Sequence, residues 1–223
     1  MDVQQSTGFV IWLTGMAGAG KSTLAALLAK RFAAAGRRAE HIDGDDPDEI
    51  LTKGLGVSKD DRNTAVRRLG HVARMLARND AVVIVAALSP YREARDAVRR
   101  DVRRFVEIFA DCPMEKLIER DAEGLYKKAL AGEVKNVPGI DDPYEPPTHA
   151  EVALHTDQVS VDEAAGKVFQ ALVDLKYVGP TEFGRLTGGQ RPKRGAKKGG
   201  KGAGGKGPKK ASSPGKAKGK SRR

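Results

Sequence analysis

The sequence predicts an α/β fold, a five-stranded parallel sheet flanked by helices, with a lid insertion and a disordered basic C-terminal tail. Three observations carry that expectation. Unbroken apolar runs at Phe9-Val10-Ile11-Trp12-Leu13 and Ala81-Val82-Val83-Ile84-Val85-Ala86-Ala87 are what central parallel strands covered on both faces require. Segments of helical period follow such runs, which is the strand-helix-strand alternation of a doubly covered sheet. Between the first run and the first helical segment lies Gly15-Met16-Ala17-Gly18-Ala19-Gly20-Lys21-Ser22.

That glycine loop fits the Walker A pattern in the context the pattern needs, a strand before it and a helix after it, and it makes the fold a P-loop NTPase type. Gly15, Gly18 and Gly20 let successive N–H groups converge on a polyphosphate, and the helix N-terminus adds partial positive charge there. Lys21 reaches the β and γ phosphates, and Ser22 holds Mg²⁺ through its hydroxyl. The cofactors expected from this stretch are ATP and Mg²⁺.

Leu24, Leu27, Leu28 and Phe32 continue at helical spacing to Gly36. A short strand, Arg38 to Ile42, then delivers Asp43-Gly44-Asp45 to the C-terminal edge of the sheet, where ligands bind in such folds. Asp46 to Val57 reads as irregular. Ser58 with Asp61 opens a helix whose stripe is Ala65, Leu69, Val72, Ala73 and Leu76, ending near Asn79. After the second apolar run come Leu88-Ser89-Pro90-Tyr91-Arg92, a charged helix to about Arg100, a strand from Phe105 to Ala110, and a helix from Pro113 through Arg120. Residues 121–147, with three glycines and four prolines, read as a mobile lid. Val152-Ala153-Leu154 is the fifth strand, and Ser160 with Glu163 caps a closing helix carrying Val161, Ala164, Ala165, Val168, Phe169, Leu172 and Val173. Periodicity ends at Lys176, so the sequence divides into an extension at 1–8, a kinase domain at 9–176 and a linker with tail at 177–223.

The net charge of +11 belongs to the tail. Residues 185–223 hold fifteen of the 40 Lys and Arg and no acid, leaving 25 basic against 29 acidic residues in the remainder, a net of −4. Gly195 to Arg223 has no large apolar residue and cannot offset its ordering entropy, so disorder is expected. Fifteen positive charges are enough for non-specific binding of nucleic acid or another polyanion, and a solubilising extension fits equally. The single Cys112 rules out an internal disulfide framework or a thiolate metal cluster and suits a reducing compartment. The N-terminal residues lack a signal-peptide layout and no apolar run has membrane length, so a soluble, cytoplasmic protein without membrane contact is expected.

Trp12-Leu13-Thr14-Gly15, the P-loop, Asp43-Gly44-Asp45, Leu55-Gly56, Asp61-Arg62, Arg67-Arg68, Ser89-Pro90-Tyr91-Arg92, Gly124-Leu125-Tyr126-Lys127-Lys128-Ala129, Ala131-Gly132-Glu133 and Gly139-Ile140-Asp141 occur in one order at one spacing. Over residues 8 to about 175 the chain resembles the adenylylsulfate kinase family, which uses ATP to phosphorylate the 3'-hydroxyl of adenosine 5'-phosphosulfate. The resemblance implies a role in sulfate activation and a homodimer, as in many members. It makes Lys21, Asp43, Asp45 and Ser89 the catalytic set, with Asp43 acting on Mg²⁺ through water and Ser89 matching the family's phosphorylatable serine. A strand-end hydroxyl capping the next helix is the plainer reading of Ser89. The resemblance also puts Thr23 in the ATP phosphate site, places Arg120 beside the ATP base and gives Asp45, Arg62, Leu88, Ser89, Lys127 and Ile140 to the acceptor, with Lys128 beside them in the lid.

The departures from the family cluster on the acceptor side. Asp46, Pro47 and Asp48 stand where the family has Asn-x-Arg, Val57 and Val137 stand where two phenylalanines stack on the acceptor adenine, and Ala65 replaces an asparagine. Each lost stack removes about 1–3 kcal/mol of base binding. The pattern leaves two expectations, the family's own acceptor held in a differently built pocket or another small hydroxyl or amino acceptor. A nucleotide-binding protein acting through its basic tail is the third and weakest.

Overall fold

A computed structural model of the chain describes residues 7–46 and 50–189. The strands are β1 (Phe9–Thr14), β2 (Ala39–Asp43), β3 (Val82–Ala86), β4 (Phe105–Asp111) and β5 (Val152–His155). Interleaved with them are α1 (Lys21–Ala34), α2 (Lys59–Arg78), α3 (Arg92–Asp101), α4 (Met114–Arg120), α5 (Leu125–Leu130), α6 (Val161–Asp174) and α7 (Pro180–Leu186). The five strands form one parallel sheet in the order β2-β3-β1-β4-β5. Chain direction away from β1 therefore reverses between its two neighbours, and the crevice at that reversal is where the glycine loop emerges.

The apolar runs do what their lack of alternation implies. Successive side chains of a strand point to opposite faces, so a strand in the middle layer needs apolar residues at every position. Phe9, Ile11 and Leu13 of β1 and Val82, Ile84 and Ala86 of β3 pack under α1, α6 and α7, while Val10, Trp12, Val83 and Val85 pack under α2 and α3. Registers such as Ile11 opposite Ile84 and Val106 keep the two sets in layers. Close approach fixes a small residue between α2 and α3: a Cβ on Gly70 of α2 would stand 2.4 Å from Val98 Cγ2 of α3. The predicted caps form, since Ser58 Oγ accepts from Asp61 N at 3.2 Å and Ser160 exchanges hydrogen bonds with Glu163.

Two features depart from the sequence reading. The ordered packing does not end at Lys176: Val178, Phe183 and Leu186 are 3%, 4% and 0% exposed and belong to the core beneath α1 and α6. Helix α7 also ties Arg37 to Glu182 at 3.0 Å. A seven-residue helix shows only two core positions, too few to register as a period beside a Gly/Lys-rich tail. The insertion at 121–147 is also more built than an irregular lid suggests. Asp121 accepts from the N–H groups of Leu125 and Tyr126 at the start of α5, and Asp141 accepts from those of Asn136 and Val137, which holds its carboxyl below the usual range. Those aspartates supply backbone partners that a helix or strand would otherwise provide.

The expectations for Asp48 and for the disordered, polyanion-binding tail fall on residues 47–49 and 190–223, outside the described residues. Among the described residues, no helix is long and apolar enough to cross a membrane.

Because Phe183 is a core residue, Phe183→Ala is expected to cost about 3 kcal/mol in a denaturant melt. A change within 0.5 kcal/mol, the range of surface positions, would remove α7 from the core.

Candidate active site

The glycine loop is shaped by backbone conformations that only glycine adopts easily. Gly18 and Gly20 have φ of +76° and +86°, and Gly20 is the N-cap of α1. Gly15 has φ +152°, and a Cβ there would lie 2.4 Å from the carbonyl oxygen of Ala110 on β4. The loop thus leaves β1 tight against its neighbour and runs into the N-terminus of α1, where a helix dipole stands behind the place suited to an anion.

Lys21 is 5% exposed, so its ammonium needs partners. It donates to the Met16 carbonyl at 3.1 Å and pairs with Asp45 Oδ2 at 2.9 Å. The other Asp45 oxygen accepts from Leu88 N at 2.7 Å, at the end of β3. Asp43 Oδ1 accepts from Asp45 N at 3.1 Å, so its carboxylate shapes the turn that presents Asp45. The two aspartates take separate duties, one aimed at the phosphate cradle and one bracing the backbone beneath it.

Ser89 is 3% exposed with φ +38°, an unusual conformation for a non-glycine residue. Its Oγ accepts from Trp12 Nε1 at 3.1 Å and lies 2.9 Å from Thr14 Oγ1, which meets the Tyr144 hydroxyl at 2.9 Å. Burial pushes the Tyr144 phenol up to about 12, so it keeps its proton in this chain of hydroxyls. The Ser89 hydroxyl does not cap α3, whose N-cap Tyr91 has no side-chain cap; it ties β1 to the end of β3.

These elements open onto a cleft of about 970 Å³. Its wall includes Gly18, Gly20, Lys21, Ser22 and Thr23 on the phosphate side, Asp45 and Ser89 across from them, and Arg120 at the end of α4. Arg120 donates to the Thr156 carbonyl at 3.0 Å. Leu88, Arg62 and Val57 line both this cleft and an adjoining recess of about 180 Å³ walled also by Val134 and Val137. Arg62 donates to the carbonyls of Val57 and Asn136 at 3.0 and 2.7 Å, joining α2 to the insertion. The cleft therefore gathers most of the site residues expected from the sequence. Gly15, Asp43, Lys127 and Ile140 are not in its lining. Helix α5 buries Tyr126 and Ala129, which turns Lys127 and Lys128 to solvent, and Ile140 packs into the apolar cluster around Tyr126 and Val137.

The sequence alone assigns no role to Tyr126, which lines both the cleft and the recess, or to Tyr144, Arg95 and Glu107, which lie outside their linings. Tyr126 donates to the Ala17 carbonyl of the loop at 2.8 Å. Arg95 and Glu107 had a readable signal: each is a charged residue set among apolar neighbours, Arg95 on the Tyr91-Ala94-Val98 stripe and Glu107 inside a central strand.

From the crowding at the loop's root, Gly15→Ala is expected to lower the thermal midpoint and weaken ATP-analogue binding together, measured by calorimetry and fluorescence titration. A variant unchanged in both would contradict the close β1–β4 approach.

The comparisons with known proteins agree with this geometry. The family model for adenylylsulphate kinase matches residues 7–155. The chain is 49% identical over 174 residues to a probable adenylyl-sulfate kinase of Synechocystis sp., covering 78% of this chain and 98% of the relative. It is likewise 49% identical to the adenylyl-sulfate kinase of Rippkaea orientalis, over 77% of this chain and 94% of that one. Among solved structures, the Mycobacterium tuberculosis APS kinase in complex with AMPPNP and APS superposes with a TM-score of 0.71 at 38% identity, over 75% of this chain and 99% of that one. The hexameric APS kinase from Thiobacillus denitrificans gives 0.58 at 33% identity, over 78% of this chain and 30% of that one. The family match spans the sheet from β1 to β5 together with the phosphate cradle and Asp45, and the chain belongs to the adenylylsulfate kinase family.

Proposed function

We propose that the protein transfers the γ-phosphoryl group of ATP to the 3'-hydroxyl of adenosine 5'-phosphosulfate, giving 3'-phosphoadenylylsulfate. The observation that carries this reading is the Lys21–Asp45 contact inside one cleft, which puts the phosphate-side cation and a carboxylate at the point where donor and acceptor must meet. Phosphoryl transfer asks the protein mainly for positioning and charge neutralisation, with one carboxylate near the nucleophile.

In this reading the N–H groups from Gly18 to Thr23 and the Lys21 ammonium hold the ATP phosphates, and Arg120 flanks the base. The exposed Ser22 hydroxyl suits Mg²⁺, which takes few protein ligands and completes its shell with phosphate oxygens and water. Bound there, Mg²⁺ would supply positive charge that offsets the phosphates. Asp45 accepts the proton of the attacking hydroxyl, and Asp43 keeps Asp45 in place and would accept from water on the metal. Arg62, Leu88 and Val57 face the acceptor, and the recess beside them takes its base against aliphatic walls. A homodimer is the assembly the family resemblance implies.

The test is product formation from ATP and adenosine 5'-phosphosulfate by the purified protein, with Lys21→Ala as the blank and with EDTA as the metal control. The expected result is 3'-phosphoadenylylsulfate well above the blank and its loss on chelation. ATP binding without that product would transfer the proposal to another small hydroxyl or amino acceptor.

The aliphatic recess yields a second prediction. Val57 is 51% exposed, so a larger ring has room there. Val57→Phe is expected to lower the KM for adenosine 5'-phosphosulfate about tenfold, the size of one base-aromatic stack, and to leave the KM for ATP unchanged. An unchanged acceptor KM would mean that the base does not sit beside Val57.

A further inference from the structure

Behind the acceptor side of the cleft lies a buried ion network that the proposed chemistry does not use. Arg95 of α3 is 1% exposed, and its guanidinium has three partners on three separate segments. Nε pairs with Glu107 Oε1 on β4 at 2.8 Å, Nη1 donates to the Ser89 carbonyl at 2.6 Å, and Nη2 donates to the Glu145 carbonyl at 2.6 Å. Glu107 is itself held by Arg99 at 3.1 Å, and Arg99 is held by Glu151 at 2.6 Å.

A network of this kind is poorly explained by stability. Desolvating an ion pair costs several kcal/mol, and apolar residues of similar volume often serve as well. A planar guanidinium offers instead donors in three fixed directions, which neither an apolar side chain nor a lysine reproduces. What those directions hold is informative. Ser89 is the residue with φ +38°, a conformation that persists only when its surroundings over-determine it. The residue before it, Leu88, donates the N–H that fixes Asp45. Glu145 closes the segment that packs on this turn: its N–H donates to the Pro90 carbonyl at 2.8 Å, and its carboxylate accepts from Arg92 N at 2.9 Å. In the same segment Asp142 accepts from the Tyr91 hydroxyl at 2.8 Å.

We infer that Arg95 is a positioning residue for phosphoryl transfer: by gripping the Ser89 and Glu145 carbonyls at once, it sets the Leu88-Ser89 turn that aims Asp45 and seats the acceptor-side segment 136–145. Its influence reaches the reacting groups through the Ser89 carbonyl, the Leu88 N–H and the Asp45 carboxylate in turn. The outer pair, Arg99 with Glu151, supports Glu107 and touches neither the turn nor Glu145, so its loss affects stability without affecting aim. The kinetic part of the inference rests on adenosine 5'-phosphosulfate being the acceptor; the structural part does not.

The experiment compares wild type, Arg95→Lys and Arg99→Met by steady-state kinetics, ATP-analogue binding and amide hydrogen exchange. Arg95→Lys is expected to lose about 100-fold in kcat/KM for adenosine 5'-phosphosulfate, the scale of a misplacement near 1 Å, with ATP affinity unchanged. Its exchange is expected to accelerate in peptides covering 86–92 and 136–146 and to stay at the wild-type rate in 15–23. Arg99→Met is expected to melt earlier yet keep near wild-type kcat/KM. If Arg95→Lys does not fold, the paired variant Arg95→Met, Glu107→Leu, which leaves no unpaired buried charge, is measured in the same way. Retained kcat/KM in a folded Arg95 variant would overturn the inference, as would exchange that rises throughout the molecule together with lost ATP affinity. Should wild type form no phosphosulfate product, the functional proposal fails separately, and exchange confined to the two segments still upholds the positioning role, whereas unchanged or global exchange refutes it.

Discussion

The contact between Lys21 and Asp45, 2.9 Å long across the C-terminal edge of the sheet, is the constraint on which the rest of the site depends. The two residues come from strands that are not neighbours: β1 leads to Lys21, β2 leads to Asp45, and β3 lies between them. The pair therefore bridges the end of β3, whose Leu88 N–H holds the free oxygen of Asp45. A buried ammonium cannot stand without an acceptor, so the carboxylate is drawn to the place where phosphates must arrive. That attraction gives Asp45 its direction, and a polyphosphate in the cradle competes for the same cation.

Everything beneath this contact serves to keep the strand ends still. The central strands are apolar on both faces and interlock with helices on each side, so the edge that carries the loops is rigid. Over that edge the hydroxyl chain from Tyr144 through Thr14 to Ser89 joins the insertion to β1 and to the end of β3. Arg95 holds the same turn from behind. The cleft has a firm wall on the Ser89 side and a wall of loops on the Val57 side, which suits a site that must admit two substrates and then align them.

Much of this was legible in the sequence because the relevant signals are local. A short, β-branched apolar run without alternation fits a doubly covered strand, and the glycine loop announces both its position and its ligand chemistry. Asp43 and Asp45 were placed on the sheet edge by counting strand and helix alone. What the sequence concealed depends on contacts between distant segments. Helix α7 offers only Phe183 and Leu186 to the core, and its place is fixed by packing against α1 and α6 rather than by its own pattern. Ser89 reads from the sequence as the family's phosphorylatable serine or as a helix cap, and neither reading shows that Trp12 and Thr14 enclose it. Lys127 and Ile140 follow the family's order in sequence, yet the buried face of α5 and the cluster around Val137 turn them away from the cleft.

The most direct test of this account is to measure ATP affinity and turnover in Asp45→Asn. An amide keeps the hydrogen bond to Leu88 N but releases Lys21 from its ion pair and cannot take the hydroxyl proton. The account predicts ATP binding as tight as in wild type or tighter, with kcat lowered about 10²–10⁴-fold, the range for loss of a general base. Loss of ATP binding in step with turnover would contradict it by making Asp45 part of the phosphate site alone. Undiminished turnover would contradict it by removing the carboxylate from the chemistry.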